Sequence, residues 1–102
     1  MKFYIKHSMT GRLRVHMDMK HMSFKQADIL EYYIKNIETV TSVKVYEKTC
    51  DAVIEFKGNK AQIINELKHF TYSQVAVPED VLNSSGREMN SYYQDKLVNK
   101  VF

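Results

Sequence analysis

The sequence predicts an α+β fold of the ferredoxin-like kind, a βαββαβ sandwich whose antiparallel sheet carries two helices on one face, followed by a C-terminal helical tail. Three observations carry that prediction. Apolar and polar residues alternate in five stretches, the first two of them close enough to count as one bent strand, with the period of a strand with one buried face. Two other stretches repeat their apolar residues every three or four positions, the period of an amphipathic helix. The two periods follow one another as strand, helix, strand, strand, helix, strand, which is the split βαβ order.

At the start, Phe3 and Ile5 alternate with Tyr4 and Lys6, then Leu13, Val15, Met17 and Met19 alternate with Arg12, Arg14, His16 and Asp18. Gly11, after Ser8-Met9-Thr10, marks a turn or bulge between them, because glycine accepts backbone angles that a side chain resists. The opening is thus one bent strand or two short ones, and the alternative topology counts residues 3–6 as a fifth strand. Ser23 reads as the N-cap of a helix of about four turns carrying Phe24, Ala27, Leu30, Ile34 and Ile37 on one side. Val43 and Val45 alternate with Lys44 and Tyr46. After a polar bend at Lys48-Thr49-Cys50-Asp51, Ala52, Ile54 and Phe56 alternate with Val53 and Glu55, which makes an antiparallel hairpin. Beyond Gly58-Asn59, helical spacing returns in Ala61, Ile64, Leu67 and Phe70, joined by Ile63. A last alternation, Val75 and Val77 around Ala76, stops at Pro78 as an edge strand does.

A chain of 102 residues with 44% hydrophobic content supports one packed core, so residues 1–78 are read as a single domain. Residues 79–102 change character. Glu79-Asp80 and Asn83-Ser84-Ser85-Gly86 read as a linker, and Ser85 with Glu88 has capping-box spacing before a third helix beginning near Gly86. That helix looks cut off in mid-element at Phe102. Cys50 is the sole cysteine, so no internal disulfide forms, and the basic N-terminus lacks the apolar run of a signal peptide; a reducing compartment is expected. No window approaches the roughly 18 apolar residues of a membrane span. The formal charge of +3 is spread along the chain, which permits nucleic-acid or membrane binding without indicating it.

Three constellations carry chemistry. His7, Met9, His16, Met17, Met19, His21 and Met22 have the side-chain types that hold zinc, copper or iron. Strand alternation, however, sends Met17 and Met19 inward as gap fillers, leaving His16, His21 and His7 as candidates for a weak site. Cys50 is the strongest soft ligand but stands alone in the hairpin bend. Gly11, Arg12 and Arg14, with Lys44 on a neighbouring strand, can form a cationic strip whose guanidinium forks match carboxylates or phosphates; the plainer reading is a solvated face paired with Glu55. No serine or cysteine has a histidine at motif spacing and no glycine loop grips phosphate, so the chain is not read as an enzyme. Nucleic acid is not expected as a partner, since Tyr46 is the one aromatic placed to stack a base on the open sheet.

The segments HSMTGRLRVHM, VTSVKV, CDAVIEF and NSSGREMNSYYQDKLVNKV together resemble the N-terminal cytoplasmic domain of heavy-metal-translocating P-type ATPases, in the heavy-metal-associated-like variety with a Gly-Arg-x-Arg start. Gly11, Arg12 and Arg14 match that start, and Val40, Val43 and Val45 match the turn and strand that follow the first helix. Thr10 stands where proline is common and Thr39 where glycine is common. The resemblance implies a regulatory or docking domain with no required cofactor, leaving room for a weakly held transition-metal ion (zinc, copper or iron) at His7, His16, His21, Met22 or Cys50. The chain lacks the pair of cysteines separated by two residues through which better-known relatives deliver soft metals, so that mechanism is not expected. The implied partners are other domains of the parent pump, at the cytoplasmic face of the cell membrane. The fragment itself would be soluble, meeting the membrane only through the parent chain, into which residues 79–102 lead. The alternatives are a free-standing ferredoxin-like metal chaperone and a small protein- or nucleic-acid-binding module.

Overall fold

The structure is a computed structural model that describes residues 1–75. It is an α+β arrangement of four antiparallel strands and two helices: β1 (Phe3–Met9), β2 (Arg12–Met17), α1 (Phe24–Lys35), β3 (Val40–Tyr46), β4 (Asp51–Phe56) and α2 (Ala61–His69), with a 3-10 turn at Tyr72–Gln74. The strands lie in the order β1-β2-β4-β3.

The opening segment resolves into two strands joined at Thr10–Gly11. Gly11 has φ +77°, and its carbonyl accepts a 3.0 Å hydrogen bond from the Phe56 amide. A side chain here would be strained by that left-handed backbone and would also meet the Phe56 carbonyl at 3.4 Å. The turn therefore folds β1 back along β2, with Phe3 opposite Met17, Tyr4 opposite His16 and Ile5 opposite Val15. A bulge between Ile5 and His7 resets the register, so that His7 faces Arg14 and Met9 faces Arg12.

This hairpin changes the expected topology. The edge of β2 away from β4, where the expected last strand would lie, is held by β1. Of the stretch Val75 to Val77, only Val75 is described, and it follows the 3-10 turn with an extended backbone outside the sheet. Ala76 and Val77, the linker and the expected third helix lie outside the described residues.

Local signals place the helices. Ser23 caps α1 in a full capping box: its Oγ accepts from the Gln26 amide at 3.0 Å, and its own amide donates to Gln26 Oε1 at 2.9 Å. The helix ends at Lys35, a turn short of the expected length, and Ile37 packs into the core from beyond its cap. In α2 the buried side is Ile63 and Leu67, continued by Phe70, while Ala61 is exposed; the apolar stripe is rotated from the expected one. Both helices cover the same sheet face. Leu13, Val15 and Met17 of β2, Val45 of β3 and Ala52 and Ile54 of β4 are fully buried with Leu30, Ile34, Ile63 and Leu67 in one cluster.

Cover stops short of β1. Ile5 lies opposite fully buried Val15, yet it remains 46% exposed. Ile54→Ala should therefore lower the unfolding free energy by about 2–5 kcal/mol, whereas Ile5→Ala should cost less than about 1 kcal/mol. Urea denaturation of the two variants checks the contrast.

Candidate functional site

The helix-free face of the sheet carries outward side chains in three cross-strand rungs. Register places Tyr4, His16, Asp51 and Tyr46 in the first, across β1, β2, β4 and β3; His7, Arg14, Val53 and Lys44 in the second; and Met9, Arg12, Glu55 and Ser42 in the third. Alternation along β2 makes this possible, because Leu13 and Val15 point into the core while Arg12, Arg14 and His16 do not.

Asp51 is the centre of the first two rungs. It opens β4 directly after Cys50, whose backbone has φ +58°. Asp51 is 0% exposed, and its carboxylate collects three side chains. Lys6 Nζ donates to Oδ2 at 3.0 Å, and Arg14 donates to the same oxygen from Nε at 3.2 Å and Nη2 at 3.0 Å. His16 Nδ1 lies 2.8 Å from Oδ1. A carboxylate can only accept, so this imidazole nitrogen carries a proton and Nε2 is the ring position turned away from Asp51. Burial pushes the Asp51 pKa up, but the hydrogen bonds from His16, Lys6 and Arg14, with the charge of Lys6, outweigh it and hold the group at about 2.

The three donors are themselves half in water, their side chains 49%, 44% and 37% exposed for Lys6, Arg14 and His16. They roof the carboxylate and present their remaining donors outward. Arg14 spends two of its five N–H groups on Asp51, and Lys6 one of its three. Two permanent cations, Lys6 and Arg14, meet one anion, so the cluster keeps a net positive charge. Arg12 and Lys44 extend it as exposed residues without an ion pair among the described residues, although Arg12 sits opposite Glu55. Lys44 Nζ instead lies 5.8 Å from the Tyr46 ring centroid.

Gly11, Arg12, Arg14 and Lys44 thus share one face and its adjoining turn. The soft-ligand candidates are scattered. His7 is exposed beside Arg14, His21 is exposed before α1, and Met22 and Met17 are in the core. Cys50 is buried, its thiol 3.8 Å from the Glu47 carbonyl and pushed up in pKa by burial and by Asp51. Nearby Tyr72 donates to Met19 Sδ at 3.7 Å and is pushed up to about 12 by burial and Cys50. Among the described residues no three His, Cys, Asp or Glu side chains converge as a ligand set.

Sequence reasoning missed Asp51 and Lys6. In sequence Asp51 reads as the end of the polar bend, although counting back by twos from Glu55 and Val53 puts it on the outward strand face. Lys6 reaches it from beside a bulge, which alternation alone does not reveal. The fold and the site together define a class: an α+β domain whose open sheet face is cationic and anchored on one buried carboxylate. No family model matches the sequence, and neither a curated protein nor a solved structure matches it.

Because the folded pKa of Asp51 lies below its ordinary 3.8, the anchor contributes stability that is fully present above about pH 4 and is lost as pH falls toward about 2. The shift corresponds to about 2 kcal/mol. Urea denaturation from pH 7 to 2 should show that loss in the parent protein and a flatter profile in Asp51→Asn.

Proposed function

We propose that this chain is a non-catalytic docking domain whose cationic sheet face binds an acidic protein surface, and that it serves as the N-terminal regulatory domain of a heavy-metal-translocating P-type ATPase. One observation carries the docking reading: Lys6, Arg12, Arg14 and Lys44 stand on one helix-free face, and a single buried carboxylate fixes two of them in place. Cations held in position lose less freedom on meeting a partner carboxylate than loose ones do. The ferredoxin-like reading is supported by the succession β2-α1-β3-β4-α2 and the order β2-β4-β3, with β1 in the place of a last strand.

The pump assignment rests on the resemblance of the Gly11-Arg12-Leu13-Arg14 start and the segments around it. The partner would then be another domain of the same pump at the cytoplasmic face of the membrane; no helix among the described residues is long and apolar enough to cross one. A transition-metal ion reaching this domain would find Nε2 of His16 oriented by Asp51, as carboxylates orient metal-binding imidazoles.

A second reading, a reader of single-stranded nucleic acid, is favoured by Tyr4 and Tyr46, exposed 59% and 41% at opposite ends of one rung. Three strand spacings separate them by about 14 Å, too far for neighbouring bases to stack on both. Asp51 also sits between them.

In the full-length pump, Arg12→Gln combined with Lys44→Gln should lower metal-stimulated ATP turnover and flatten its salt dependence. The stability of the isolated domain should change by no more than about 0.5 kcal/mol. Unchanged turnover would contradict the docking reading, and binding of oligouridylate lost in the same variant would favour the second one.

A further inference from the structure

The edge of the sheet formed by β1 is separate from the cationic face and has its own character. Three of the four large apolar side chains exposed among the described residues, Tyr4, Ile5 and Met9, belong to this one strand. On the helix side an apolar groove of about 800 Å³ runs between β1 and α2, lined by Met1, Phe3, Ile5 and Ile64 and bordered by Lys2 and Lys68. Among the described residues no strand pairs with the outer edge of β1, so its backbone polar groups on that side are open to another strand.

Edge strands usually guard themselves with a bulge or an outward lysine. Here the bulge is present at Lys6, but the lysine is not on guard. Its ammonium is turned back over the sheet to Asp51 at 3.0 Å. The cations that remain near the edge, Lys2 and Lys68 at the groove and Lys60 bonded to Ser8 at 2.9 Å, are accompanied by no acidic residue in the groove lining. A second copy of the chain would bring the same lysines against these, which disfavours β1-to-β1 pairing. An acidic strand would be drawn in.

We propose that β1 is a strand-addition site for an extended peptide that alternates apolar and acidic residues. The peptide pairs its backbone with the outer edge of β1, sends its apolar side chains into the groove over Ile5 and Ile64, and by alternation turns its carboxylates to the helix-free face toward His7, while Lys2 and Lys68 at the groove add longer-range attraction. Strand addition gives affinity through main-chain hydrogen bonds and specificity through alternate side chains, and this edge offers both.

The test uses the 102-residue chain and a blocked peptide as long as β1, 7 residues, alternating glutamate and valine. Titration followed by amide NMR should shift β1 resonances more than those of β3, and Ile5→Glu should weaken binding by roughly tenfold or more. Arg12→Gln with Lys44→Gln should leave this binding intact, separating it from the docking face. A peptide methylated on alternate amide nitrogens, or one with lysine for glutamate, should bind far more weakly. Equal binding of either control would overturn the proposal, as would shifts confined to the open face. Dimerisation without peptide would overturn it in favour of a second copy. Protection from exchange, without peptide and in a monomer, of the β1 amides that point away from β2 would overturn it by showing the edge already filled from within the chain.

Discussion

A carboxylate with no exposed surface, roofed by three half-exposed donors, is the arrangement on which the open face of this sheet depends. Asp51 lies on the central strand β4, and its partners come from β1 and β2, so one side chain ties the N-terminal hairpin to the rest of the sheet on the side the helices leave bare. Replacing water around a buried charge is costly unless partners and hydrogen bonds restore what is lost, and here four donor atoms do so. The result is a fixed pattern of positive charge where a strand face would otherwise carry freely moving side chains.

The helix side and the open side obey different logic. On the helix side, Leu13, Val15, Met17 and Ile54 are held by area: each removes apolar surface from water against Leu30, Ile34, Ile63 or Leu67, without directional demands. On the open side, position is set by charge and hydrogen-bond geometry, and it depends on pH through Asp51. The hairpin turn at Gly11 serves both, since it delivers Phe3 toward the core side and Lys6 toward Asp51.

Much of the fold was legible because period and face are local properties. Alternation in Leu13-Val15-Met17 and Ala52-Ile54-Phe56, and helical spacing in Ala27-Leu30-Ile34, found the strands, the first helix and their buried sides. The capping residue Ser23 was readable for the same reason. What local pattern could not supply was which strand lies beside β2, because edge choice is decided by a turn at Gly11 and by pairing across the sheet. Asp51 has the local look of a bend residue, and its partners are 45, 37 and 35 residues away in sequence, beyond any local signal. The cationic strip was visible in Arg12, Arg14 and Lys44; the carboxylate that organises it was not.

The ionisation of Asp51 itself tests the central claim most directly. Followed by the carboxyl carbon resonance across an acid titration, Asp51 should show a midpoint at about 2, because the hydrogen bonds from His16, Lys6 and Arg14 outweigh the cost of burial. A midpoint near the ordinary aspartate value of 3.8 would mean that the three side chains do not hold the carboxylate, and that the open face has no fixed anchor.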